Sequence, residues 1–181
     1  MGDAGAAVWP GWANAVTAVR AVLTALVAVL VLRPDVSDAQ AWWAVGIASV
    51  ALVLDGIDGT VARRGEMATG FGARFDMEVD AALILVLAVG VGLSGKVGWW
   101  VVAIGLARYG FGLARWAWPV LRGGLEPSFW RKAVAVQQGV TLTVATAPIV
   151  PRWLAVAGCT AALAALAWSF GRDVVHLLSR G

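Results

Sequence analysis

The chain has 181 residues, 60% of them hydrophobic and 14% charged, with a formal net charge of +3, and its mean hydropathy is +0.79. Soluble domains carry about 25% charged residues, so this composition excludes an ordinary soluble domain and points to one all-α integral membrane domain over residues 1–181. One cysteine, Cys159, and one histidine, His176, exclude an intrachain disulfide and a His/Cys metal cluster.

Six apolar segments are predicted as transmembrane helices, each near the length of about 20 residues that a bilayer requires. The first runs from Ala15 to Leu32 and stops at Arg33-Pro34, before the polar turn DVSDAQ. The preceding stretch, MGDAGAAVWPGWAN, has no basic region and Arg20 interrupts the run, so the span is read as retained and not as a cleaved signal peptide. The second opens on the interfacial pair Trp42-Trp43, is apolar to Leu54, and continues as helix to Arg63. The third extends from Gly72 to Leu93 and closes on Ser94-Gly95-Lys96. The fourth runs from Trp99 to Trp118, followed by Pro119 and the breaker-rich loop LRGGLEPSFWRK. The fifth covers Ala133 to Val150, with a turn at Pro151-Arg152, and the sixth covers Trp153 to Phe170 before the polar tail GRDVVHLLSRG.

Basic residues set the orientation. One set of loops holds Arg63, Arg64, Arg74, Arg122, Arg131, Lys132, Arg172 and Arg180, with Arg108 and Arg115 approaching it; the other holds Arg33, Lys96 and Arg152. The rich side is predicted to be cytoplasmic, with both termini inside. Because these residues lie at span ends and not on one polar face, they signal topology and not a nucleic-acid partner. Abundant Ala, Val, Gly and Arg beside two lysines suggests a GC-rich bacterial genome, hence a bacterial inner membrane. Small residues one turn apart, Ala103/Ala107 and Gly110/Ala114, would let helices approach closely, as they would in any Ala/Gly-rich span.

Against this background the stretch DGIDGTVARRGEMATGFGARFDMEVD, residues 55–80, stands apart. Asp55 and Asp58 are three apart and share a helix face; Asp76 and Asp80 are four apart and share another. An antiparallel hairpin around residues 64–71 would match the two pairs at depths of about 6–7 Å and about 12 Å. Four carboxylates would then meet at the cytoplasmic edge of the membrane. Uncompensated charge there is costly, so protons or cations must balance it, and hard oxygen donors without His or Cys favour two divalent ions, Mg²⁺ or Mn²⁺. The plainer alternative pairs these helix-end aspartates with Arg63, Arg64 and Arg74. Gly59, Ala62 and Gly72 are small enough for a ligand to lie against backbone, and Arg63 offers a planar fork to phosphate oxygens.

The spacing Asp55-x-x-Asp58-Gly59-x-x-Ala62-Arg63, eight residues, Gly72-x-x-x-Asp76-x-x-x-Asp80 resembles the full signature of the CDP-alcohol phosphatidyltransferase family. Asn14-x-x-Thr17-x-x-Arg20 is similar to the opening of the first span in many members. The resemblance implies transfer of a substituted phosphate from a CDP-linked alcohol to an acceptor hydroxyl, with release of CMP. It implies that Asp55, Asp58, Asp76 and Asp80 hold two metal ions, with Asp80 also the base that deprotonates the acceptor. Gly59, Ala62, Arg63 and Gly72 would line the CDP pocket, with Thr69, Asn14 and Thr17 nearby, and a homodimer is the family's common state.

Arg108 and Arg115 lie two turns apart on one face of the fourth span. With Lys132 they suggest a clamp for an anionic acceptor such as glycerol 3-phosphate or inositol phosphate, though positive-inside anchoring explains them equally; Gln137 and Gln138 are possible helpers or interhelical hydrogen-bonders. A site just below the interface favours a lipid donor, CDP-diacylglycerol, over a soluble one such as CDP-ethanolamine. The rival from another class is an ion or proton translocator, which requires acidic or polar residues in the outer halves of the spans; Trp42 to Leu54 and Ala81 to Leu93 are apolar, with no acidic residue and the single hydroxyl of Ser49.

Overall fold

The computed structural model describes residues 12–61, 70–117 and 129–178, with side chains for 15–56, 74–107, 109–110 and 133–172. It contains six α-helices and, among the described residues, no strand: α1 (Trp12–Val31), α2 (Asp38–Val61), α3 (Gly70–Leu93), α4 (Val102–Ala117), α5 (Phe129–Thr146) and α6 (Arg152–Leu178). A 3₁₀ turn, Trp99–Val101, leads into α4.

Helix α2 begins four residues before its apolar run. Ser37 Oγ accepts from the Gln40 backbone N–H at 3.3 Å, and Gln40 Oε1 accepts from the Ser37 N–H at 3.0 Å. This reciprocal capping box satisfies two donors at the helix start, so the segment expected as a turn is in part helix. Helix α5 stops at Thr146, short of the expected Val150, and gives way to turns around Pro148, in which Ala147 N–H donates to the Val144 carbonyl and Val150 N–H to the Ala147 carbonyl. Helix α6 runs past Phe170 through the polar tail to Leu178.

Helix α1 packs on α2 and α3; α3 in turn packs on α4 and α5, while α5 meets α2 and α6. The buried stripe of α1 is Thr17, Arg20, Thr24, Val27 and Val31. Its alternating steps of three and four make a narrow helical seam, polar at one end and apolar at the other. Val27 and Val31 join Ala44, Ala48, Ala51, Leu83, Leu87 and Val91 in the core. Gly105 lets α4 pack closely on α3, since a Cβ there would lie 2.7 Å from the Leu85 Cα. Of the small residues singled out in the fourth span, Ala103 is exposed and a Cβ on Gly110 would meet nothing within 4 Å, so these two take no part in it.

Two helices among the described residues are long and apolar enough to cross a membrane, Asp38–Gly56 of α2 and Arg152–Arg172 of α6, and Ala15–Val31 is a shorter apolar helix. The other elements depart from six uniform spans for a visible reason. Helix α3 has Arg74, Asp76, Glu78 and Asp80 in its first half, α4 has 16 residues with two arginines, and α5 opens on Arg131-Lys132.

The outward faces are nonetheless apolar. Val22, Val29, Val53 and Trp168 are all more than half exposed. Trp42, Trp43, Trp99, Trp100 and Trp153, from the starts of α2, the 3₁₀ turn and α6, are exposed as well.

Candidate active site

At the polar end of the α1 seam, Arg20 is 1% exposed. Its guanidinium lies among three carboxylates. One terminal nitrogen is 2.6 Å from Asp76 Oδ1 and 3.3 Å from Asp55 Oδ1, and the other donates to Asp80 Oδ1. Thr17, one turn earlier on α1, donates from Oγ1 to Asp76 Oδ1 at 3.4 Å. Asp76 and Asp80 are adjacent turns of α3, so one planar fork reaches both. Asp55 arrives from α2 on the opposite side.

Each of these three aspartates offers a carboxylate oxygen, and the three atoms lie within 4.8 Å of one another. The aspartates are half-buried. Three negative charges against one buried positive charge leave a surplus that a divalent cation would neutralise. The donor set is all hard oxygen, which suits Mg²⁺ or Mn²⁺. The residues present therefore fit a divalent metal, and Arg20 supplies part of that positive charge in the structure.

The structure thus brings together Asp55, Asp76, Asp80 and Thr17. Asn14, Asp58 and Gly59 lie on α1 and α2, Gly72 on α3, Arg108 and Arg115 on α4, and Lys132 on α5, with side chains outside the described set. Ala62, Arg63 and Thr69 fall outside the described residues altogether. Asp58 follows Asp55 by one turn of α2. Gln137 is exposed, whereas Gln138 is 4% exposed and its Nε2 has no hydrogen-bond partner among the described residues.

Arg20 is the residue that sequence reasoning passed over. It entered only as part of a first-span pattern and as a break in an apolar run. An arginine inside such a run requires an acidic partner, and four acidic candidates stood in the same chain.

Comparison with known proteins bears on what this cluster belongs to. The sequence profile of the CDP-alcohol phosphatidyltransferases matches residues 11–170. The chain belongs to the CDP-alcohol phosphatidyltransferase family. Its matched segment includes α1 with Arg20 as well as the aspartate motif of α2 and α3, so the whole cluster lies within the family's own region. Proteins from two strains of Mycobacterium tuberculosis, each named a probable phosphatidylglycerophosphate synthase, are 38% identical over 89 residues. That match takes in 49% of this chain and 41% of each relative, so it accounts for under half of the relatives' length. No solved structure matches the chain at a significant level.

Proposed function

We propose that this protein is an integral membrane transferase that moves a phosphatidyl group from CDP-diacylglycerol to the hydroxyl of an anionic acceptor, releasing CMP. The observation that carries the reading is the approach of Asp55, Asp76 and Asp80 to within 4.8 Å from two different helices. Family membership supplies the reaction class. The relatives' name speaks of phosphatidylglycerophosphate, a phosphatidyl group joined to glycerophosphate, which favours glycerol 3-phosphate as acceptor over inositol phosphate.

In this reading the acceptor oxygen attacks the phosphorus that carries the diacylglycerol. A new P–O bond forms, the P–O bond to the CMP phosphate breaks, and the hydroxyl proton passes to the Asp80 carboxylate. Asp55, Asp58, Asp76 and Asp80 would hold two divalent ions, Mg²⁺ or Mn²⁺. When bound, these ions neutralise the diphosphate and stabilise charge on the departing CMP. Gly59, Ala62, Arg63 and Gly72 line the CDP pocket with Asn14, Thr17 and Thr69 around it, and Arg108, Arg115 and Lys132 clamp the acceptor's phosphate.

The membrane setting with six spans is supported by two features. The outward faces of α1, α2 and α6 are apolar, and five exposed tryptophans, Trp42, Trp43, Trp99, Trp100 and Trp153, stand at helix starts remote from the aspartates, where an aromatic belt would meet the far headgroups. The surplus of Arg and Lys on the aspartate side favours a cytoplasmic site with both termini inside, in a bacterial inner membrane. The exposed face of α4, with Ala103, Leu106, Tyr109 and Gly110, is available for a homodimer.

A translocator is disfavoured because Arg20 is the one buried charge among the described residues, and beyond the cluster the core is mainly apolar, with Ala48, Ala51, Leu83, Leu87 and Val91 beside the buried hydroxyls of Thr24 and Thr143. The test is CMP release by purified full-length protein from CDP-diacylglycerol, with CDP-ethanolamine as rival donor, Mg²⁺ or Mn²⁺, and a panel of glycerol 3-phosphate, inositol phosphate, free polyols and serine. Metal-dependent release with CDP-diacylglycerol and glycerol 3-phosphate is expected, and Arg108→Ala should raise the acceptor KM. Inactivity with every donor and acceptor in the panel would refute the assignment.

A further inference from the structure

Arg20 has no stated role in the reaction, yet it is the most completely buried charge in the cluster. It is 1% exposed, and its two terminal nitrogens touch all three described carboxylates. Its Nε is buried and has no hydrogen-bond partner among the described residues. A guanidinium satisfied at its tip and orphaned at its root is held by the charge of the aspartates and not by a complete hydrogen-bond set. Asp55 Oδ1, Asp76 Oδ1 and Asp80 Oδ1 are the atoms it occupies. Oxygens of the same three carboxylates would have to face a metal ion.

We propose that Arg20 is a built-in counter-ion that competes with divalent cations for Asp55, Asp76 and Asp80, and that it gives up these carboxylates when the site loads. The inference rests on the metal-binding reading of the cluster given above. Before loading, Arg20 makes it affordable to keep the carboxylates ionised at the edge of the membrane, because an unpaired buried charge is strongly unfavourable. After loading, four aspartates are matched by two divalent ions, and the charge of Arg20 is left without its partners. Anchored in the middle of α1 between α2 and α3, the side chain cannot carry that charge far. A site with bound metal then presents extra positive charge to an incoming diphosphate, which orders the events as metal first and donor second.

Loss of a residue that scaffolds a metal site weakens metal binding; loss of Arg20 is expected to strengthen it. Full-length protein in detergent is stripped of metal and titrated with Mn²⁺ alone, free ion being followed by electron paramagnetic resonance. Arg20→Gln is expected to bind the first Mn²⁺ at least tenfold more tightly than wild type. Its melting temperature without metal should be lower than wild type, and saturating Mn²⁺ should close most of that gap. Arg20→Lys keeps the charge but loses the fork, so its affinity should fall between the two; it decides the matter if Arg20→Gln does not fold. Unchanged or weaker Mn²⁺ binding in the variants, with wild-type binding intact, overturns this proposal and leaves the metal site standing. No saturable Mn²⁺ binding in wild type or in either variant overturns the metal-site reading itself, and this inference with it.

Discussion

The two ends of the helix bundle use charge in different ways. At the end remote from the aspartates, polar side chains finish helix termini. Ser37 and Gln40 cap α2, Ser94 Oγ donates to the Val91 carbonyl at 2.8 Å, and Lys96 Nζ donates to the Ala147 carbonyl at 2.6 Å, tying the turn after α3 to the connection after α5. Burial lowers the Lys96 pKa from its ordinary value, and the nearby Asp38 carboxylate opposes that shift. A cavity of about 560 Å³ opens there, lined in part by Asp35, Asp38 and Lys96. At the other end, Arg20 and its aspartates pair side chain to side chain across α1, α2 and α3. Polar groups at the remote end satisfy backbone that helix ends leave exposed. Among the described residues, the contacts of Arg20 with the aspartates are side chain to side chain and leave an excess of negative charge, which folding alone does not require.

Substitutions at the two ends should therefore separate activity from stability. The largest effect is expected from Asp80→Asn, which removes a proposed base and ligand together and should lower CMP release by about 10²–10⁴-fold. A rate within threefold of wild type would take Asp80 out of the base role. Next, Arg20→Gln in the absence of metal leaves the carboxylates unpaired and should destabilise the fold by about 3 kcal/mol, read as a lower denaturation midpoint. An unshifted midpoint would mean that the cluster is already solvated or protonated. Gly105→Ala pushes a methyl against the α3 backbone at Leu85 and should cost about 1–3 kcal/mol without touching the site. Lys96→Met should cost only about 1 kcal/mol, the worth of one hydrogen bond, with the CMP-release rate unchanged. A large loss of activity in Lys96→Met would erase the distinction between the two ends.

The helical content and the aspartate pairs were legible from local spacing. Residues three or four apart must share a helix face, so Asp76 and Asp80 could be placed together without knowing anything of the rest of the chain. What local spacing did not carry was the partner of Arg20, 56 and 60 residues away from Asp76 and Asp80 in sequence. Only the packing of α1 on α3 reveals it. The start of α2 is a different case. The Ser37 and Gln40 pattern of a capping box lies in the sequence, but the polar run around it also reads as a turn, and only the reciprocal bonds decide between them. The small residues of α4 are a third case. Spacing offered Ala103 and Gly110 for close approach without naming the helix they would meet, and the contact with α3 uses Gly105 instead, because the face turned to α3 is fixed by the whole helix and not by any pair.

The most direct test is a Mn²⁺ titration comparing wild type with Asp55→Asn, since Asp55 is the one described carboxylate that α2 brings to those of α3. About two ions per chain are expected for wild type, with Asp55→Asn losing at least one of them or weakening both by tenfold or more. Identical stoichiometry and affinity in the two proteins would contradict the claim that acids from neighbouring helices form a single cation-binding centre.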